Sequence, residues 1–202
     1  MSANVVIPRP NQQSPSVVRR MLDRWPAALG LALALLQLAT DDPDSPTGGL
    51  MVLMVATTAY VVIAALVRPS WSWAVVGVLS AVVLATGLTS AGPAVELGSL
   101  VAISGAAIVT GFVRRTWTRA DLYRWQPYAA VAFLALSLGA LWFAPETGRV
   151  LIAVGLIGHA LWDLAHWRRH QVVSRSLAEW CLALDFTLGA GVLVLTLWPN
   201  VF

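Results

Sequence analysis

Seven apolar runs, bordered by Trp, Arg, Pro or short polar stretches, take up most of the chain. They cover residues 26–40, 48–67, 73–90, 94–113, 127–143, 150–167 and 177–198. A helix needs roughly 20 apolar residues to cross a hydrocarbon layer about 30 Å thick. Inside that layer every backbone N–H and C=O must be paired internally, and a helix does so within one segment. The pattern predicts an all-α, polytopic membrane protein, a bundle of seven transmembrane helices. Composition agrees, with 58% apolar and 11% charged among 202 residues, where soluble chains run near ~25% charged. The first run is the shortest, so it must borrow from its flanks or re-enter.

Arginine placement predicts the orientation. Arg9, Arg19, Arg20, Arg24, Arg68, Arg114, Arg115, Arg119, Arg124, Arg168, Arg169 and Arg175 all fall in one set of connections. The opposite set holds Arg149 and the acidic loop Asp41-Asp42-Pro43-Asp44. Positive connections stay in the cytoplasm, so the N-terminus is expected inside and the C-terminus outside. Trp71, Trp73, Trp117, Trp125, Trp167 and Trp180 then mark the inner interface, and Trp142 and Trp198 the outer one. The formal charge of +3 is explained by this asymmetry and calls for no nucleic-acid partner. An Ala/Val/Leu/Arg bias points to a bacterial cytoplasmic membrane.

Ahead of the first run, residues 1–13 hold Pro, Asn and Gln without an apolar period, as a disordered tail does. Ser14-Pro15 offers an N-cap and a favourable first helical residue. Val17, Val18, Met21, Leu22 and Trp25 then share one face, with Arg19, Arg20, Asp23 and Arg24 opposite. Residues 1–25 thus read as a tail and a short interfacial helix, and residues 26–202 as a single seven-helix domain. The long charged leader and the missing small-x-small pattern near Ala39-Thr40 argue against a signal peptide. Thr118-x-x-Asp121 predicts a capping box for a short surface helix, with Trp117, Tyr123 and Trp125 at the headgroups. Gly77, Ala81 and Ala85, then Gly98, Ala102 and Gly105, predict close-packing helix faces.

The chemistry concentrates between Gly158 and Gly189. All three histidines are there, and His159, Asp163, His166 and His170 follow at i, i+4, i+7 and i+11, one helix face. His159 precedes Arg168 by nine residues, about 13 Å of helix, and Asp185 follows Arg175 by ten, about 15 Å. A short connection makes the last two helices antiparallel neighbours, so His159 and Asp185 reach one depth from opposite directions. Asp163 then lies level with Cys181. His166 falls nearer the interface and His170 beyond it. A carboxylate at mid-span costs about 2.5–3.5 kcal/mol on insertion scales, so two of them imply partners.

Three readings fit. A metal site would use His159, Asp163, His166 and Asp185, and imidazole with carboxylate suits zinc or non-haem iron. A proton relay would use the same groups along a wet path. A structural His–Asp clamp would fix the sixth helix on the seventh. With no lysine in the chain, a retinal or pyridoxal-phosphate Schiff base is excluded. The single Cys181 excludes an intramolecular disulfide, and three histidines are too few for a histidine-rich di-iron hydroxylase. No Gly-x-Ser-x-Gly or phosphate-binding loop occurs.

The seven-span layout, with an inner N-terminus and a polar site toward the inner side, resembles the progestin/adiponectin-receptor and alkaline-ceramidase superfamily of intramembrane zinc hydrolases. That group takes histidines from two helices through a Ser-x-x-x-His element and a His-x-x-x-His pair. The first of these lies near that group's second span and the other in its last; this chain has neither in those places, so the resemblance assigns no residue. His159-x-x-Trp162-Asp163-x-x-His166 followed by Trp180-Cys181-x-x-x-Asp185-x-x-x-Gly189 is similar to a pattern in uncharacterised bacterial multi-pass membrane proteins, which implies no activity. The expectation is a metal-dependent intramembrane enzyme on a lipid or other apolar substrate, with Asp163 and Asp185 as catalytic groups. Alternatives are a proton-linked transporter or channel, and an accessory subunit bound to other membrane proteins.

Overall fold

A computed structural model describes residues 24–40, 47–88 and 92–198. The expected tail, most of the interfacial helix and the acidic loop lie outside those residues. The described residues form seven α-helices and no strand: α1 Trp25–Thr40, α2 Thr47–Leu66, α3 Ser72–Gly87, α4 Pro93–Val113, α5 Leu122–Ala140, α6 Pro145–Arg169 and α7 Arg175–Leu197. Short 3-10 turns at Pro69–Trp71 and Thr116–Thr118 precede α3 and α5. Local chemistry sets several ends. Proline opens α4 and α6, where its missing N–H costs nothing. The Ser174 hydroxyl accepts the Leu177 N–H to cap α7. His170 ends α6 in the left-handed conformation at φ 52°.

Five stretches are long and apolar enough to cross a membrane: α2, α3 with its leading turn, α4, α6 and α7. α1 is a shorter apolar helix of 16 residues. α5 dilutes its apolar run with Tyr123, Arg124 and Gln126 in its first turns. Pro127 was expected to begin this run, yet it sits inside the helix, one turn past the start.

α2 is the hub. It is apolar on every side, which suits a helix surrounded by others, and 72% of its span is buried against 17% for α3. α3, α4, α5, α6 and α7 all touch it, while α1 packs along α7. The periphery stays apolar: Val78, Leu84, Phe112, Val113 and Trp142 are all more than half exposed. A surface of this kind exceeds what soluble monomers show and is compatible with a membrane protein. Contacts such as Arg24–Glu179, Trp73–Ser176, Arg114 to the Ala65 carbonyl and Arg169–Asp121 gather the arginine-bearing helix ends together.

The connection before α5 departs from expectation. Thr118 and Asp121 do not form a capping box: the Thr118 hydroxyl donates to the Arg115 carbonyl at 2.7 Å. Asp121, at φ 65°, makes no side-chain cap. Gln171 takes that role from the α6–α7 connection, accepting the Leu122 N–H at 3.2 Å and donating to Asp121 at 3.2 Å. Trp117 is buried rather than at a surface. Its indole fills the space left by Gly111, and its N–H donates to the Ile108 carbonyl at 3.0 Å.

Candidate metal centre

The centre follows from how closely α6 and α7 approach. They are joined by only a few residues, so they run antiparallel. A Cβ on Gly189 would stand 2.9 Å from the Ala153 carbonyl oxygen, which only glycine tolerates. That closeness sets the register, and His159 of α6 meets Asp185 of α7. The imidazole Nδ1–H donates to Asp185 Oδ2 at 2.8 Å. Asp163, one turn along α6, brings Oδ2 to 3.3 Å from the same nitrogen without hydrogen-bond geometry. All three side chains are buried.

One donor therefore serves two carboxylates. His159 Nε2, both Asp163 oxygens and Asp185 Oδ1 are buried with no hydrogen-bond partner. A buried polar group left unpaired costs about 1–3 kcal/mol, more if charged, so the cluster is under-satisfied as it stands. One donor atom from each of the three residues lies within 4.8 Å of the others. An imidazole and two carboxylates form a donor set that a divalent cation accepts, and a cation at the Nδ1 side would replace the hydrogen now between His159 and Asp185. His159, Asp163 and Asp185 are the group that fits a metal.

His166 lies apart from it. Its Nδ1 is 2.7 Å from the Trp162 carbonyl, which only accepts, so that nitrogen carries the hydrogen. Its Nε2 then accepts from the Gln126 amide at 2.6 Å. With both nitrogens engaged, the ring has no lone pair to offer an ion in this arrangement. Its burial, complete to 0% exposed, comes from α5 and α2 packing over the arginine-bearing end of α6. His170 is exposed at the helix end, and Glu179 pairs with Arg24 at 3.0 Å.

Two residues missed in the sequence complete the walls. The Tyr60 ring stands edge-on to both His159 and His166, with centroids 5.2 and 4.9 Å away, and its hydroxyl faces Asp163. Gln126 anchors His166. Tyr60 is a tyrosine deep inside a long apolar run, a signal that was there to be read. Gln126 was hidden because Pro127 looked like a helix start. Phe133 covers His159 from α5 at 5.0 Å, and Cys181 lies beside both carboxylates.

The described chain is thus an apolar helical bundle with a buried His/Asp/Asp group that could hold a metal ion. Comparison with protein-family models, curated proteins and solved structures gives no match.

Proposed function

We propose that this is a multi-pass protein of the bacterial cytoplasmic membrane, N-terminus inside and C-terminus outside. In this reading the His159–Asp163–Asp185 group holds a divalent cation, zinc or iron, and acts on a lipid or other apolar substrate. The observation that carries it is one donor atom from each of three fully buried residues, His159, Asp163 and Asp185, all within 4.8 Å of one another. The cation would supply Lewis acidity in a dry site, where polarisation of a substrate oxygen is strongest. Asp185 would hold the cation together with His159, the two being joined now by a 2.8 Å hydrogen bond whose hydrogen the cation would displace. Asp163, with both oxygens unbonded, is the group left to move a proton. Tyr60 and Phe133 keep water from the imidazole edge.

Elemental analysis of detergent-purified protein, never exposed to chelator, tests this. About one metal per chain is expected in the wild type, and none in His159→Ala or Asp185→Ala. Wild type without stoichiometric metal sinks the reading. A proton-linked transporter is the second reading, favoured by the polar file Gln126–His166–Tyr60–Asp163–His159–Asp185 that runs from the arginine-bearing end to mid-bundle. pH-dependent proteoliposome flux abolished in Asp185→Asn, with metal-free wild type, would put it first.

A further inference from the structure

Tyr60 comes to the His/Asp/Asp group from a third helix. His159 and His166 are seven residues apart on α6, about 10.5 Å at the helical rise. The Tyr60 ring stands nearly midway between them, with centroids 5.2 and 4.9 Å away and interplanar angles of 81° and 88°. It therefore enters from α2 between the two imidazoles, at the level of Asp163. Its hydroxyl lies against two side chains there, the Asp163 carboxylate of α6 and the Cys181 thiol of α7. Tyr60, Asp163 and Cys181 are all at most 1% exposed.

Packing alone does not call for the hydroxyl. Phenylalanine would fill the same room and meet both imidazoles edge-on. Among the described residues the Tyr60 hydroxyl has no hydrogen-bond partner, and neither Asp163 oxygen has one. A donor and an acceptor buried side by side without joining lower stability. Of the two neighbours, the thiol is a weak acceptor and the carboxylate a strong one, so the carboxylate is the partner. Rotation about the last torsion of an aspartate is soft, and it lets the carboxylate turn to the O–H without moving the backbone. Charge also favours a phenol here. A divalent cation with two ionised carboxylates and a neutral imidazole carries no net charge, which suits a buried place. Lys or Arg would add a charge that repels the cation, whereas a phenol donates and adds none.

We propose that Tyr60 is a positioning residue of the centre: its O–H donates to one oxygen of Asp163 and so holds the other toward the cation. The proposal rests on the metal reading above and makes α2, the hub of the bundle, a support of the site beside α6 and α7. Hydrogen bonds to ligating carboxylates fix their orientation, and losing one weakens metal binding about 10–100-fold.

The test compares Tyr60→Phe with the wild type, both as the full chain in detergent micelles. Zinc is titrated against a competing chelator, and the visible spectrum is taken after loading with cobalt(II). The metal-free variant should unfold at the wild-type midpoint or slightly above it, since only an unpartnered hydroxyl is gone. Its zinc dissociation constant should rise about 10–100-fold, and the cobalt bands should shift as Asp163 loses its fixed orientation. Zinc affinity equal to that of the wild type overturns the proposal and leaves the metal reading standing. Weaker zinc binding matched by an equal loss of metal-free stability makes Tyr60 a structural residue and overturns it too. A wild type that takes up neither zinc nor cobalt removes the metal reading, and the role of Tyr60 falls with it.

Discussion

The seam between α6 and α7 and the outer faces of α3 and α4 are built from similar residues to opposite ends. Both carry small residues at helical spacing. In the seam, a Cβ on Gly189 would press on the Ala153 carbonyl at 2.9 Å and on Leu156 and Ile157 at 3.0 Å. On α3 and α4, Gly77, Gly98 and Gly105 have no heavy atom within 4 Å. The seam buries His159, Asp163 and Asp185. The outer faces bury 17% and 22% of their spans. A small-residue period thus marks a place where helices can approach, without saying that they do. What separates the two regions is the ionisable groups: where these must be hidden, the backbones have closed.

The comparison breaks most sharply at Asp185. Asp185→Ala leaves the His159 N–H and the Asp163 carboxylate to each other, and removing one partner of a buried charged group costs about 3 kcal/mol. Reversible unfolding in mixed micelles should show that loss. Replacing His159, Asp163 and Asp185 together by leucine should recover most of it, because an apolar set has nothing left unpaired. A triple variant as unstable as the single one would mean the group is a clamp, and the proposed function would fall with it.

Next comes Gly189→Val, which forces α6 and α7 apart. Overpacking of a close seam costs about 1–3 kcal/mol, and metal content should drop with stability because the His159–Asp185 register moves. Unchanged metal loading would show that the close approach does not set the centre. Smaller again is Gln126→Leu. The His166 Nε2 then loses its donor, for about 1 kcal/mol, while the metal content of the purified protein stays at the wild-type level. Metal loss in this variant would return His166 to the ligand set.

Helix positions were legible because each apolar run is bounded by residues that cannot continue it. The pairing of His159 with Asp185 was legible because helical rise turns sequence distance into depth and a short connection forces neighbours. Two kinds of fact were not. Long-range packing, such as α1 lying along α7 and Gln126 reaching His166, depends on which faces meet, and a helix apolar all round does not declare one. Ring tautomer and engagement decide whether a histidine has a lone pair to give. His166 shares a face with His159 and Asp163, yet the Trp162 carbonyl one turn back takes its hydrogen and the Gln126 amide takes its remaining nitrogen. Spacing carries no trace of either.

The smallest effect tests the other side of the comparison. Gly98→Ala adds a methyl where the chain has only open space, and inside a helix alanine is favoured over glycine by about 0.5–1 kcal/mol. Stability should rise slightly or stay within about 0.5 kcal/mol of wild type, with the sedimentation profile unchanged. Gly105→Ala should behave alike, as it sits on the same face two turns on. Loss of stability, or a change in oligomer size in both variants, would show that another helix occupies this face in the membrane. α4 would then be a seam whose partner lies outside this chain, and the contrast with α6 and α7 would be one of partner rather than of kind.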